Sequence, residues 1–177
     1  MLKYFDYAVV TAEFPDEITL AINITNCIGH CEGCSESWLA QDIGKELTFD
    51  ELDTLISANV GISCVGFMGG DIDHEYLLQL AKCIHRRYHL KVGMYSGQDY
   101  IDLELAKELD YYKVGRFILP KSIDKPDDWW KSTCGPITFP FSNQKMYKRV
   151  DNKLIDITER FRENKLNSVD SLKKQII

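Results

Sequence analysis

Three cysteines at C-x3-C-x2-C spacing constrain this chain more than any other feature. Cys27, Cys31 and Cys34 lie in one short segment, so their sulfurs can face a common point, and no fourth cysteine follows at a matching spacing. A structural zinc site takes four protein ligands, and an electron-transfer iron–sulfur cluster usually takes four cysteines. Three cysteines on a [4Fe–4S] cluster leave one iron open to a small molecule, and open coordination is typical of catalytic metal sites.

Other interpretations of these cysteines stay open on spacing alone. His30 offers a fourth ligand for a zinc knuckle, although its position next to Cys31 would strain such a site. A disulfide with one spare thiol, or three unrelated buried cysteines, also fits, because free cysteine often behaves as a small hydrophobic residue. Gly29 and Gly33 favour the cluster, since glycines let a loop turn tightly and point N–H groups at sulfides.

Length and charge limit the classes of protein to consider. The 177 residues fit a single domain, 1–177, with a core of about 13–150 and a loose charged tail over 159–177. A net charge of −6 argues against a nucleic-acid partner. No segment has the ~18 apolar residues that a membrane span needs, and no signal peptide precedes the fold. Six cysteines without such a signal indicate a reducing compartment, so we expect a cytoplasmic protein.

Strand and helix patterns alternate along most of the chain, which predicts an α/β fold. The predicted strands are residues 7–10, 18–24, 62–68, 90–95 and 111–119, and the predicted helices are 49–59, 74–88 and 101–109. Thr48 and Asp73 are the predicted N-caps of the first two helices. Four strand–helix units are too few for an eight-stranded barrel. We therefore predict an open partial (β/α) barrel of parallel strands, with an irregular segment over 120–141 that folds over the site.

A C-terminal hairpin should complete this fold. Residues 145–158 have the pattern of two strands joined near Asp151-Asn152, which is a hairpin signal. Three cysteines outside the loop, Cys64, Cys83 and Cys134, are scattered and indicate packing rather than ligation.

Three further segments stand at predicted strand ends. Gly69-Gly70-Asp71, Tyr95-Ser96-Gly97 and Lys113-Val114-Gly115-Arg116 each read, alone, as a turn or a solvated strand end. The carboxyl ends of neighbouring parallel strands meet at one edge of a sheet, so these segments are expected beside the cysteine loop. His74, His85 and His89 lie on or beside one predicted helix with no carboxylate set against them in sequence, which favours surface or packing roles.

The motif Cys27-Ile-Gly-His-Cys31-Glu-Gly-Cys34 resembles the signature of the radical S-adenosylmethionine (SAM) enzymes. In detail it is similar to the activating proteins of anaerobic ribonucleoside-triphosphate reductase, which also have glycine before the third cysteine. Gly69-Gly70-Asp71 resembles the Gly-Gly-Glu motif of the superfamily, with Asp in place of Glu and Ile72 where a proline often follows. Tyr95-Ser96-Gly97 resembles the Tyr-Thr-Gly segment of the activating proteins, and 142–145 resembles their Ser-Asn-Gln-Arg segment.

The resemblance implies two cofactors and a set of residues for each. Cys27, Cys31 and Cys34 would bind a [4Fe–4S] cluster. SAM would be held by Gly33, Ser35, Gly69, Gly70, Asp71, Tyr95, Ser96, Gly97 and Lys113. No side chain is expected to act as a general acid or base, because the chemistry belongs to the cluster and the cofactor.

The resemblance also implies an activity and partners. The expected enzyme cleaves SAM reductively to a 5′-deoxyadenosyl radical, which takes hydrogen from a glycine in the large subunit of anaerobic ribonucleotide reductase. A flavodoxin-like protein or another one-electron donor would supply the electron. Two alternatives stay open: a radical SAM enzyme acting on another peptide or small molecule, and a non-catalytic zinc or iron–sulfur module that binds a partner.

Overall fold

The computed structural model describes residues 1–118, 137–138 and 142–162. Most of the predicted irregular segment 120–141, together with Cys134 and the tail beyond residue 162, lies outside the described residues. In the part of the chain that is described, no helix is both long enough and apolar enough to cross a membrane.

The described residues form eight strands and three helices, with 3₁₀ turns at Ser37–Ala40 and Thr158–Arg160. In chain order the elements are β1 (Lys3–Val10), β2 (Thr19–Ile24), β3 (Lys45–Glu46), α1 (Phe49–Ala58), β4 (Cys64–Met68), α2 (His74–Tyr88), β5 (Lys91–Tyr95), α3 (Leu103–Ala106), β6 (Tyr111–Val114), β7 (Lys145–Val150) and β8 (Lys153–Asp156).

Side-chain caps set where the helices begin. The Thr48 hydroxyl accepts a hydrogen bond from the Glu51 N–H at 3.1 Å, and the Asp73 carboxylate accepts one from the Tyr76 N–H at 3.0 Å. Both predicted N-caps are therefore confirmed. α3 is shorter than the predicted 101–109, because it begins only after its own cap, Asp102, and ends at Ala106.

The strands form one mixed sheet in the order β3-β1-β2-β4-β5-β6-β7-β8. Only the pairings among β2, β4, β5 and β6 are parallel; the four outer pairings are antiparallel. The prediction of an α/β fold is confirmed. The predicted parallel pairing is found only in the centre of the sheet, among β2, β4, β5 and β6. The reason lies in the connections, since no helix separates β1 from β2 or β7 from β8.

The predicted C-terminal hairpin is present. β7 and β8 pair antiparallel through Val150 and Lys153, and the two residues between them take positive φ, 49° at Asp151 and 60° at Asn152. Asparagine and aspartate tolerate this conformation, and a two-residue loop of this kind matches the twist of the flanking strands.

Apolar side chains cover both faces of the central strands. On one face, Val65, Phe67, Val92 and Met94 pack with buried residues of all three helices. On the other face Phe14, from the segment between β1 and β2, is fully buried with Cys64, Tyr111 and Met146. The alternation of side chains along each strand produces these two layers.

A buried carboxylate joins the amino ends of the central strands. Glu17 precedes β2, and its side chain is only 2% exposed. It forms an ion pair with Lys91 and accepts hydrogen bonds from the Ser63 hydroxyl at 2.7 Å and the Tyr111 hydroxyl at 2.9 Å. Burial opposes its ionisation, but the hydrogen bonds from Lys91, Ser63 and Tyr111 outweigh burial and hold the pKa of Glu17 below its ordinary value of 4.5.

Replacing Glu17 by glutamine should therefore lower stability in a pH-dependent way. A group whose pKa is depressed by folding stabilises the fold above its unfolded-state pKa and ceases to do so as pH falls through its folded-state pKa. We expect Glu17→Gln to lower the free energy of unfolding by roughly 1–3 kcal/mol near neutral pH, with the difference shrinking below the value of 4.5.

Urea unfolding across this pH range measures the effect. The matched control is Glu104→Gln, because Glu104 is 76% exposed in its ion pair with Lys107. That change should alter stability by less than about 1 kcal/mol. An equal effect of the two substitutions at every pH would contradict the role given to Glu17.

Candidate functional site

The cysteine loop follows directly after β2, at the carboxyl edge of the parallel strands. Three of its residues take positive φ: 59° at Asn26, 41° at His30 and 71° at Gly33. The Cys27 N–H donates to the Leu39 carbonyl at 3.0 Å, which joins the start of the loop to the 3₁₀ turn Ser37–Ala40. The Cys34 N–H donates to the Cys31 carbonyl at 3.2 Å, so the segment between these two cysteines is a closed turn.

All three cysteines of the motif line one cavity. Each is a free thiol and is partly exposed, and the cavity has a volume of about 210 Å³. The other residues that line it are His30, Glu36, Ser37 and Ala40. This volume is well above the room that one ion or one water needs. Among the described residues, no group of three or more His, Cys, Asp or Glu side chains is arranged to hold a metal ion.

Gly29 provides space beside two of the sulfurs. A Cβ at this position would lie 3.4 Å from the Cys31 sulfur and 3.6 Å from the Cys27 sulfur. The two sulfurs therefore lie against the same part of the backbone. Gly33 and Ser35, predicted to contact the cofactor, are exposed and do not line the cavity; the positive φ of Gly33 gives it a role in the turn.

The second predicted segment, Gly69-Gly70-Asp71, directly follows β4. Both glycines have positive φ, 112° and 117°, and a Cβ on Gly70 would lie 2.5 Å from a Leu77 methyl carbon. The Gly69 N–H donates to the Tyr95 carbonyl at 3.1 Å. A Cβ on Gly69 would lie 3.4 Å from the Ile24 carbonyl oxygen at the end of β2, so this loop borders the start of the cysteine loop.

The Asp71 carboxylate joins the loops after β4 and β5. One oxygen accepts a hydrogen bond from the Ser96 hydroxyl at 2.6 Å, and the other accepts one from the Gly97 N–H at 2.7 Å. The Asp71 side chain is 6% exposed. Five residues predicted to bind the cofactor, Gly69, Gly70, Asp71, Ser96 and Gly97, are thus brought together at one edge of the sheet.

His74 belongs to the same network, which its sequence context did not predict. Its Nε2 lies 3.2 Å from an Asp71 carboxylate oxygen, and its Nδ1 lies 2.9 Å from an Asp102 carboxylate oxygen. Asp102 also caps α3. Burial opposes ionisation of Asp102, but hydrogen bonds from the Leu105 N–H and from His74 outweigh burial and lower its pKa. The one signal in the sequence was the spacing of Asp71 and His74 at i and i+3.

Lys113 is half-buried on the face of the sheet that carries Tyr95. It pairs with Tyr95 across β5 and β6, and its ammonium nitrogen is 4.2 Å from the centre of the Tyr95 ring. Burial lowers the pKa of Lys113 to about 8, although Glu13 and Cys34 oppose this shift. A cation over an aromatic face is stabilised by the ring quadrupole.

The segment 142–145 supports the loop after β6. The Gln144 side-chain amide donates to the Gly115 carbonyl at 3.1 Å, and the Asn143 amide donates to the Arg116 carbonyl at 3.0 Å. Gln144 is 6% exposed. These contacts give the segment a structural role at the carboxyl edge of the sheet.

Comparison of the chain with protein-family models, with curated proteins and with solved structures gave no match. Any assignment of function therefore rests on the residues of the site itself.

Proposed function

We propose that this chain is a radical SAM enzyme that holds a [4Fe–4S] cluster with Cys27, Cys31 and Cys34. The single observation that carries this proposal is the cavity of about 210 Å³ that the three thiols line together. Its three thiols would supply cysteine ligands to such a cluster and leave one iron free of protein ligands. When bound, such a cluster supplies one electron that breaks the C5′–S bond of SAM, giving methionine and a 5′-deoxyadenosyl radical.

The chain's own residues bind and orient SAM in this proposal. The main chain of Gly69 lies beside the end of β2, where the cysteine loop begins, and a glycine there would let a ligand approach closely. Asp71, Ser96 and Gly97 hold the two loops in one arrangement. The Lys113 ammonium, which lies over the Tyr95 ring, would pair with the carboxylate of SAM. Gly33 and Ser35 border this region on the exposed side of the cysteine loop.

The proposed architecture is an open partial (β/α) barrel. Its support is the parallel centre of the sheet, β2-β4-β5-β6, with buried residues of the three helices on one face. The other face, with Phe14 and Tyr95, would then be the inside of the barrel.

A protein substrate is favoured by apolar side chains around the candidate site. The segments that follow β2, β4, β5 and β6 each expose a large apolar side chain: Ile28, Ile72, Tyr100 and Ile118. Exposed apolar residues on neighbouring segments support a surface that binds another protein. The proposed partner is the large subunit of anaerobic ribonucleotide reductase, in which a glycine loses a hydrogen atom, and the electron donor is flavodoxin-like or another one-electron carrier.

One experiment tests the proposal directly. The protein is reconstituted anaerobically with iron and sulfide, reduced with dithionite and mixed with SAM, and 5′-deoxyadenosine is measured by chromatography. We expect a cluster on each chain and 5′-deoxyadenosine that is absent without reductant. Omitting the protein controls for chemical breakdown of SAM.

A zinc-binding interaction module is the second candidate. The observation that favours it is His30, which lines the same cavity as the three thiols and supplies a fourth ligand. This candidate predicts one zinc per chain, loss of that zinc in His30→Ala, and no cleavage of SAM. That combined result would replace the radical SAM proposal.

A further inference from the structure

His74 lies between two carboxylates that belong to different loops. Asp71 follows β4 and Asp102 precedes α3, and they face opposite nitrogens of the same ring at 3.2 and 2.9 Å. The His74 side chain is 18% exposed, and those of Asp71 and Asp102 are 6% and 29% exposed. Partly buried contacts of this kind are screened less by water than surface pairs.

The ring can satisfy both carboxylates only as a double donor. A neutral imidazole has one N–H and one lone pair, so one carboxylate would face a lone pair. With a proton on each nitrogen, His74 donates to both and places a positive charge between two negative ones. Without the ring, the two carboxylates would face each other with no hydrogen-bond donor between them.

The position of His74 at the start of a helix lets it restrain Asp71 and Asp102. It is the first residue of the fifteen-residue helix α2, whose start is fixed by the Asp73 cap. Through Asp71 it connects to the Ser96 hydroxyl and the Gly97 N–H, and through Asp102 it connects to the first N–H groups of α3. Two loops that would otherwise move separately are thereby joined to a rigid element.

From these contacts we infer that His74 is a positioning residue, which bridges Asp71 and Asp102 and thereby fixes the loops after β4 and β5 for binding the amino-acid part of SAM. This inference rests on the proposed function. His74 contacts the two aspartates and has no role in bond breaking. A loop that is already ordered binds its ligand more tightly, because less conformational entropy is lost on binding.

Three substitutions at His74 separate its two contacts. Glutamine carries an amide N–H at about the reach of Nε2, so His74→Gln keeps a donor for Asp71. Asparagine carries one at about the reach of Nδ1, so His74→Asn keeps a donor for Asp102 only, and His74→Ala keeps neither. His85→Ala is the matched control, because His85 lies in the last turn of the same helix and contacts the Glu108 carbonyl and the Asp110 carboxylate rather than Asp71 or Asp102.

Equilibrium dialysis of SAM against the reconstituted protein, before reduction, measures affinity directly. We expect His74→Ala to weaken binding by about tenfold, as loss of an outer partner of a site typically does, with His74→Gln and His74→Asn between His74→Ala and wild type, because each keeps one of the two contacts. Iron content and kcat should stay the same while KM for SAM rises, since the bridge acts equally on bound SAM and on the transition state. In the protein without SAM, amide hydrogen exchange over 96–102 should speed up in His74→Ala but not in His85→Ala.

The affinities of the wild-type protein and the variants for SAM decide whether His74 is a positioning residue. Unchanged affinity in His74→Ala overturns the inference and leaves the proposed function standing. Equal losses of affinity, iron and kcat in all three variants show a general folding defect and also overturn it. If the wild-type protein binds no SAM, the proposed function fails and the positioning role fails with it.

Discussion

Replacing Cys31 by alanine should reduce the iron content of the anaerobically reconstituted protein to background and abolish 5′-deoxyadenosine formation. Among the described residues, Cys27 and Cys34 would be the thiols left to line the cavity, and two ligands leave two corners of a [4Fe–4S] cluster without protein sulfur. We expect the same result for Cys27→Ala and Cys34→Ala. Iron and sulfide analysis, together with the visible absorption of the cluster, measures binding without any assay of activity.

Cys83→Ala is the matched control. Cys83 is also a free, partly exposed thiol, but it lies on α2 and does not line the cavity. Its substitution should leave iron content and product formation unchanged. If Cys83→Ala lost as much iron as Cys31→Ala, the metal would be bound nonspecifically by thiols, and the assignment of the three ligands would be wrong.

Local signals in the sequence were enough to predict most of the elements. Thr48 and Asp73 each lie one residue before a helix, because a short polar side chain that accepts a backbone N–H marks a helix start independently of distant contacts. Asp151-Asn152 predicted a hairpin for a similar reason, since few residues adopt positive φ twice in succession. These features depend on neighbours within a few residues.

Strand direction was harder to predict because it depends on the whole sheet. The outermost pairing at one edge joins β3 to Lys3 and Tyr4, and two residues such as Lys45 and Glu46 have no pattern that identifies a strand. β7 pairs antiparallel with β6, although the strands are far apart in sequence. Neither arrangement follows from the alternation of apolar residues, which determines which face is buried and not which neighbour is chosen.

The candidate site was predicted as a set of segments, and its internal contacts were not. The order of parallel strands was sufficient to expect Gly69-Gly70-Asp71 beside Ser96-Gly97. His74 was assigned to the surface or to packing because the sequence showed no carboxylate set against it. Asp102 reaches the ring only because β4 and β5 are neighbours, so the loops that follow them converge.

Phe14→Ala should destabilise the fold by about 3–5 kcal/mol, a large part of the stability of a typical domain. Phe14 is fully buried and packs against the rings of Tyr95, at 5.5 Å between centres, and Tyr111, at 5.2 Å. Removing it leaves a cavity against the face of the sheet that carries Tyr111. Because Tyr95 also lies beneath the Lys113 ammonium, the floor of the candidate site depends on the same packing. Urea unfolding measures the loss.

Gly93 makes this prediction specific to one contact. A Cβ at Gly93 would lie 2.3 Å from a ring carbon of Phe14, and the three nearest atoms all belong to that ring. Gly93→Ala should therefore cost about 1–3 kcal/mol in the wild-type protein, through overpacking. In a Phe14→Ala background the added methyl group enters the space that the ring has left. The double variant should thus be more stable than the sum of the two single losses by about 0.5–3 kcal/mol, whereas strict additivity would mean that Phe14 does not lie against Gly93 in solution.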